Sequence, residues 1–190
     1  MKTELSLLLL AALAFTGCKK DKPEQSGPEE NPLSLYLQNS GFDQKTTNFI
    51  NAGDYEFGFK FTPKVKGKIT AITFKIPDNA ENTRVTIWNA ETKTVLRTVV
   101  IPSVSKDVEV RQDIDPMTVL PSETYLLTYN GNDWYKRHRI DNTNATPPIN
   151  AGSIFIMGYH WQGGKAQNFP VNISYDYYGG DLSFVFRNDN

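Results

Sequence analysis

The sequence predicts an all-β protein built as an antiparallel β-sandwich of jelly-roll or immunoglobulin-like type. Three observations carry that expectation. Apolar residues alternate with polar ones in about eight to ten short runs, turn residues punctuate the runs at regular spacing, and no eleven-residue window shows an amphipathic helical stripe. A sheet with one apolar face hides it by stacking on a second sheet, so such strands end as two layers.

The elements follow in order. Phe57, Phe59 and Phe61 alternate ahead of Thr62-Pro63, and Ile72, Phe74 and Ile76 ahead of Pro77-Asp78-Asn79. Val85 and Ile87 lead into Trp88, whose place in that alternation assigns it to the packed structure. Asn89 to Thr92 is turn chemistry and predicts a hairpin into a strand from Val95 to Ile101, which Pro102-Ser103 should stop. Val108 and Val110 begin another strand. Tyr125, Leu127 and Tyr129 alternate before the turn dipeptide Asn130-Gly131. Ile154 to Gly158, Val171 to Tyr175 and Leu182 to Phe186 complete the set. In Leu120-Pro-Ser-Glu-Thr-Tyr125 the spacing fits a tyrosine corner, a phenol at a strand start bonded to backbone a few residues upstream.

Composition excludes several functions. The 190 residues carry 20 Lys+Arg against 21 Asp+Glu, a net charge of −1, and nucleic-acid binding needs a strongly basic face instead. The one cysteine allows no internal disulfide, and with two histidines it gives no zinc-site spacing. His138 lies in Lys136-Arg137-His138-Arg139, where cations oppose its protonation, and no Gly-x-Ser-x-Gly elbow accompanies either His138 or His160. No phosphate loop or EF-hand loop is present. Neither catalysis nor a cofactor is expected. Asp176, Asp181 and Asp189, or Asp43 and Asp54, carry oxygens suited to a structural calcium, but aspartate is first of all a turn residue.

At the N-terminus, Lys2 precedes an apolar run from Leu5 to Phe15, interrupted by Ser6 and closed by Thr16-Gly17-Cys18. The run is about half the ~20 residues that span a bilayer, so it reads as a signal h-region over residues 1–17. It resembles a bacterial lipoprotein signal with its lipobox; Phe15 stands where that box has a branched aliphatic, and Leu13 lies two residues further back. The resemblance implies cleavage before Cys18 and its lipidation, which anchors the chain to a membrane without a spanning helix. Residues 18–32 then read as the lipidated cysteine and a flexible stalk, because Lys19 to Pro32 is rich in proline and charge and has no aliphatic or aromatic residue. Lys19-Lys20-Asp21 resembles the export tag that sends lipoproteins of some Gram-negative phyla to the outer face of the outer membrane; a plain solvated linker has the same composition. A single sandwich domain is expected over residues 33–190.

The stretch Phe57 to Phe74, with Val85-Thr-Ile-Trp88-Asn, Leu120-Pro and Tyr125-Leu-Leu-Thr-Tyr129, is similar to an uncharacterised β-sandwich module of bacterial surface proteins. That module recurs beside glycoside hydrolases and has no assigned catalytic residues, which implies a binding or accessory role.

The informative constellation is aromatic. Trp134-Tyr135, Tyr159-His160-Trp161 and Tyr175-Asp176-Tyr177-Tyr178 all lie beside turn-like polar residues. A pyranose packs its axial C–H groups on a flat ring while its hydroxyls bond to amides, carboxylates and guanidinium groups. Candidate glycan contacts are therefore the rings of Trp134, Tyr135, Tyr159, Trp161, Tyr177 and Tyr178, with Asn132, Asp133, Arg137 and Gln162 as polar partners. The same rings would equally edge a sandwich core, or form an interface with another envelope protein. A row of rings interleaved with Asn or Asp would favour sugar; a contiguous apolar patch would favour protein.

Overall fold

The computed structural model describes residues 26–189. The signal region 1–17, Cys18 and the expected stalk as far as residue 25 lie outside the described residues. The elements are β1 (Ser26–Glu30), α1 (Leu33–Ser40), β2 (Lys45–Phe49), β3 (Tyr55–Pro63), β4 (Gly67–Lys75), β5 (Ala80–Asn89), β6 (Val95–Val104) and β7 (Val110–Val119). They continue as β8 (Tyr125–Gly131), β9 (Trp134–His138), β10 (Ile149–Ala151), β11 (Ile154–Gly163), β12 (Asn172–Ser174), β13 (Tyr177–Gly179) and β14 (Asp181–Asp189).

These strands form three antiparallel sheets: β1-β14-β4-β7; β10-β11-β3-β8-β5-β6, with β12 also on β11; and β13-β9-β2. The first two stack as the expected sandwich. Phe57, Phe59 and Phe61 project from β3 on one face, as their alternation requires, and meet rings of the four-stranded sheet. The Phe61 and Phe184 centroids are 4.7 Å apart, and Phe74 and Tyr129 are at 4.6 Å. Trp88 is buried and donates its indole N–H to Thr128 Oγ1 at 2.8 Å. The tyrosine corner is present, with the Leu120 N–H donating to the Tyr125 hydroxyl at 3.0 Å and that hydroxyl donating to Glu123 at 2.6 Å. Asn89 Oδ1 accepts from the amides of Glu91 and Thr92, which closes the expected hairpin.

Several expectations need correction. Part of the expected stalk is a strand, because Ser26–Glu30 pairs with β14. Backbone pairing and ion pairs hold this segment where apolar burial is lacking: Glu29 bridges Arg111 and Arg187, and the Glu30 carboxylate accepts from the Ser153 amide and hydroxyl. An eight-residue helix, α1, follows at once, too short to fill an eleven-residue window; it buries Tyr36 and Leu37 and stops at Gly41, whose φ of 76° suits a left-handed cap. β6 runs through Pro102 to Val104 because it is the edge strand of its sheet, where a missing N–H breaks no ladder. Asn130 and Gly131 belong to β8, and the turn falls on Asn132 and Asp133. Val108 precedes β7, and of the expected strand from Val171 to Tyr175 only Asn172–Ser174 pairs.

Candidate functional site

An open cavity of about 230 Å³ lies where β3 begins and β11 ends, roofed by the three-stranded sheet. Phe49, Tyr55, Phe57, Trp134, Lys136, Tyr159, Trp161 and Tyr177 line it. Strand parity explains the set. Tyr55 and Phe57 share one face of β3, and Tyr159 and Trp161 share the matching face of β11 through the register Tyr159↔Phe59 and Trp161↔Phe57. From the roof, Trp134 and Lys136 project from β9, Phe49 from β2 opposite Trp134, and Tyr177 from β13 opposite His138.

Phe57 and Tyr159 form the floor, 1% and 3% exposed, while the other linings are half-buried at the mouth. Phe49 and Trp134 stack with centroids 5.2 Å apart and planes 6° from parallel. Tyr55 meets Trp134 and Trp161 edge-on at 5.5 and 6.1 Å, and Tyr177 tilts over Tyr159 at 5.0 Å. The Trp161 indole donates to Ser174 Oγ at 3.1 Å, which fixes that ring at the rim. Lys136 Nζ sits 4.5 Å from the Tyr177 ring centre, in cation–π range. A Cβ on Gly179 would collide with the Tyr159 hydroxyl, so glycine there lets the roof close on the floor. Burial raises the pKa values of Tyr159 and Tyr177 above the usual phenol value, so both hydroxyls stay protonated at neutral pH.

Of the ring candidates, four converge here and two do not. Tyr178 is fully buried against Tyr36, Phe59 and Tyr159 and donates to the Leu182 carbonyl at 2.5 Å. Tyr135, also buried, donates to Asp107. Each is the strand neighbour of a cleft ring, and neighbouring strand side chains face opposite ways.

The polar candidates are likewise occupied elsewhere. Asp133 is buried and takes the Asn51 amide at 2.7 Å, and Asn132 donates to the Asn51 side chain at 3.1 Å, so both tie the β8–β9 turn to the segment before β3. Arg137 shares β9 with Lys136 but points the other way and is held by both oxygens of Asp181 at 2.5 Å. Gln162 accepts from Asn172 at 3.4 Å and does not line the cavity. Of the candidate calcium ligands, Asp181 is thus an arginine partner and Asp189 pairs with Lys66.

Sequence reasoning missed Phe49, Tyr55 and Lys136 as site residues and took Phe57 for core alone. Tyr55 was findable, since it extends the Phe57 alternation by one step at the same parity. Phe49 ends a polar, mostly exposed strand and carries no local signal.

The chain matches no family model, and no curated protein matches it.

Proposed function

We propose that this protein is a cell-envelope lipoprotein, anchored in the outer membrane through Cys18 and facing the cell surface, whose β-sandwich binds glycan without catalysis. The observation that supports glycan binding is the convergence of Trp134, Tyr159, Trp161 and Tyr177 with Phe49, Tyr55 and Phe57 around one open cavity. The rings meet at steep angles as a cup, and at about 230 Å³ the cup falls below the ~300–1,000 Å³ of pockets that enclose drug-sized ligands. Such a site suits a single ring: one sugar at a chain end or branch tip, packed by its C–H faces. The phenols and Lys136 supply the polar contacts expected earlier of Asn132, Asp133, Arg137 and Gln162.

A glycan-array screen of the full chain tests the reading. Trp161 stands at the rim, so Trp161→Ala should weaken binding by about 1–3 kcal/mol, a factor of about 5 to about 150. An array with no bound glycan, or equal binding by the variant, overturns it.

The second reading, an accessory subunit docking another envelope protein, is favoured by one feature. Val171, Ile173 and Tyr175 are exposed on and beside the edge strand β12, next to the cleft wall. Co-purification that is lost on Ile173→Asp, with no glycan bound, would favour it.

A further inference from the structure

We propose that the sugar received by this cleft is acidic, a pyranose whose carboxylate is taken by Lys136. The inference rests on the glycan reading and narrows its ligand. Lys136 is the sole charged residue among the eight that line the cavity. Several cations of the domain have carboxylate partners, among them Arg84 with Glu56, Arg111 and Arg187 with Glu29, Arg137 with Asp181, Lys66 with Asp189 and Lys165 with Asp54; Lys136, like Lys64, Lys75 and Lys93, lies over a ring instead. No described carboxylate lies in ion-pair range of Lys136. Asp176 precedes Tyr177 and its charge reaches that phenol, yet it makes no ion pair with Lys136.

The contrast with Arg137 is informative, because the two cations are strand neighbours on opposite faces of β9. One is clamped by Asp181, while the other is presented to an aromatic cup, held over the Tyr177 ring. An ammonium against apolar walls gains from an anionic partner, and its three N–H donors leave room for one beside the ring contact. Lys45 adds a second cation on the same sheet face, since it lies opposite His138 and therefore diagonal to Lys136. A positively charged ligand is disfavoured by both, although an all-aromatic cup would otherwise suit one.

The closing experiment compares two oligosaccharides of identical linkage that differ only in the terminal residue, glucuronic acid or glucose. Both are titrated against the full chain by calorimetry at low and high salt. The uronate-ended ligand should bind about tenfold tighter at low salt, with the advantage shrinking as salt screens the pair. Lys136→Met keeps the aliphatic stem over Tyr177 and should abolish the difference between the two ligands, at or below the parent's affinity for the neutral one, while Lys136→Arg should restore most of the preference. Unchanged thermal unfolding of Lys136→Met certifies its fold. Equal affinity for the two ligands, or a preference that survives in Lys136→Met, overturns the acidic-sugar inference while the glycan reading stands, provided that Trp161→Ala still weakens both. Binding of neither ligand overturns the acidic inference; an array with no hits would take the glycan reading with it.

Discussion

The side chains behind the cleft make a sharp test of how the fold holds the site. Glu56 lies between Tyr55 and Phe57 in β3, so its carboxylate faces the opposite side of the sheet from the cleft rings. It is buried, accepts from Thr128 Oγ1 at 2.5 Å and pairs with Arg84 at 2.8 Å. Thr128 is fully buried and also accepts the Trp88 indole N–H at 2.8 Å. Thr128→Val keeps the shape but removes both bonds, leaving an indole donor without its acceptor and a carboxylate oxygen without its donor. A neutral hydrogen bond contributes about 1 kcal/mol and one to a charged group about 1.5–3 kcal/mol, so the loss should be about 2.5–4 kcal/mol. For a domain of this size, each kcal/mol moves the midpoint by about 2–4 °C, so thermal unfolding should shift down by about 5–16 °C.

The same variant has a pH signature. Burial raises the Glu56 pKa above the usual 4.5, while the bonds from Thr128 and Arg84 oppose that rise. A carboxyl with a raised folded-state value binds more protons folded than unfolded, so its contribution is fully present below the ordinary value and is lost as pH rises through the folded one. Removing the Thr128 bond raises the folded value further, so Thr128→Val should lose stability more steeply above pH 4.5 than the parent does. Glu56→Gln in the same background should flatten that slope. A midpoint within 2 °C of the parent across this range, measured by circular dichroism, would refute the reasoning.

Two further outcomes follow from the N-terminal region. Arg111 and then Arg187 hold the Glu29 carboxyl down to about 2, so its ion pairs stabilise β1 fully above the ordinary value of 4.5 and fade as pH falls toward 2. Amide protection factors at Glu29 and Glu30, taken against the intrinsic exchange rate at each pH, should therefore fall over that acid window in the parent, and Glu29→Gln should remove the pH step; identical profiles would contradict the assignment. Cys18→Ser should move the protein from the membrane to the soluble fraction, and mass spectrometry showing unmodified Cys18 in the native protein would refute lipidation.

The sandwich was legible because its central strands obey one rule at a time. β3, β4 and β8 alternate cleanly, and the tyrosine corner and the Asn89 hairpin carry local chemistry that works in any sandwich. What escaped was held by distant partners. β1 is built of Ser, Gly, Pro and Glu, and it is a strand through its pairing with β14 and its contacts to Arg111, Arg187 and Ser153. β2 is almost wholly polar and exists because β9 pairs along its whole length. Pro102 reads as a strand stop unless one knows that β6 lies at an edge, and edge position is a property of the assembled sheet.

The site was half legible for a related reason. Aromatic clustering in the chain marked rings that meet at one cavity, yet adjacent rings in a strand cannot serve one cleft, because period two sends them to opposite faces. Trp134 and Tyr177 were therefore bound to part from Tyr135 and Tyr178, while Tyr159 and Trp161, two apart, were free to act together. The same parity placed Lys136 beside Trp134 and sent Arg137 to Asp181. Once β9, β11 and β13 are recognised as strands, parity alone groups Trp134 with Lys136 and Tyr159 with Trp161, and parts Trp134 from Tyr135, Trp161 from Gln162 and Tyr177 from Tyr178. Only the packing of β2 and β3 against them, which brings Phe49, Tyr55 and Phe57 to the same space, required the three-dimensional arrangement.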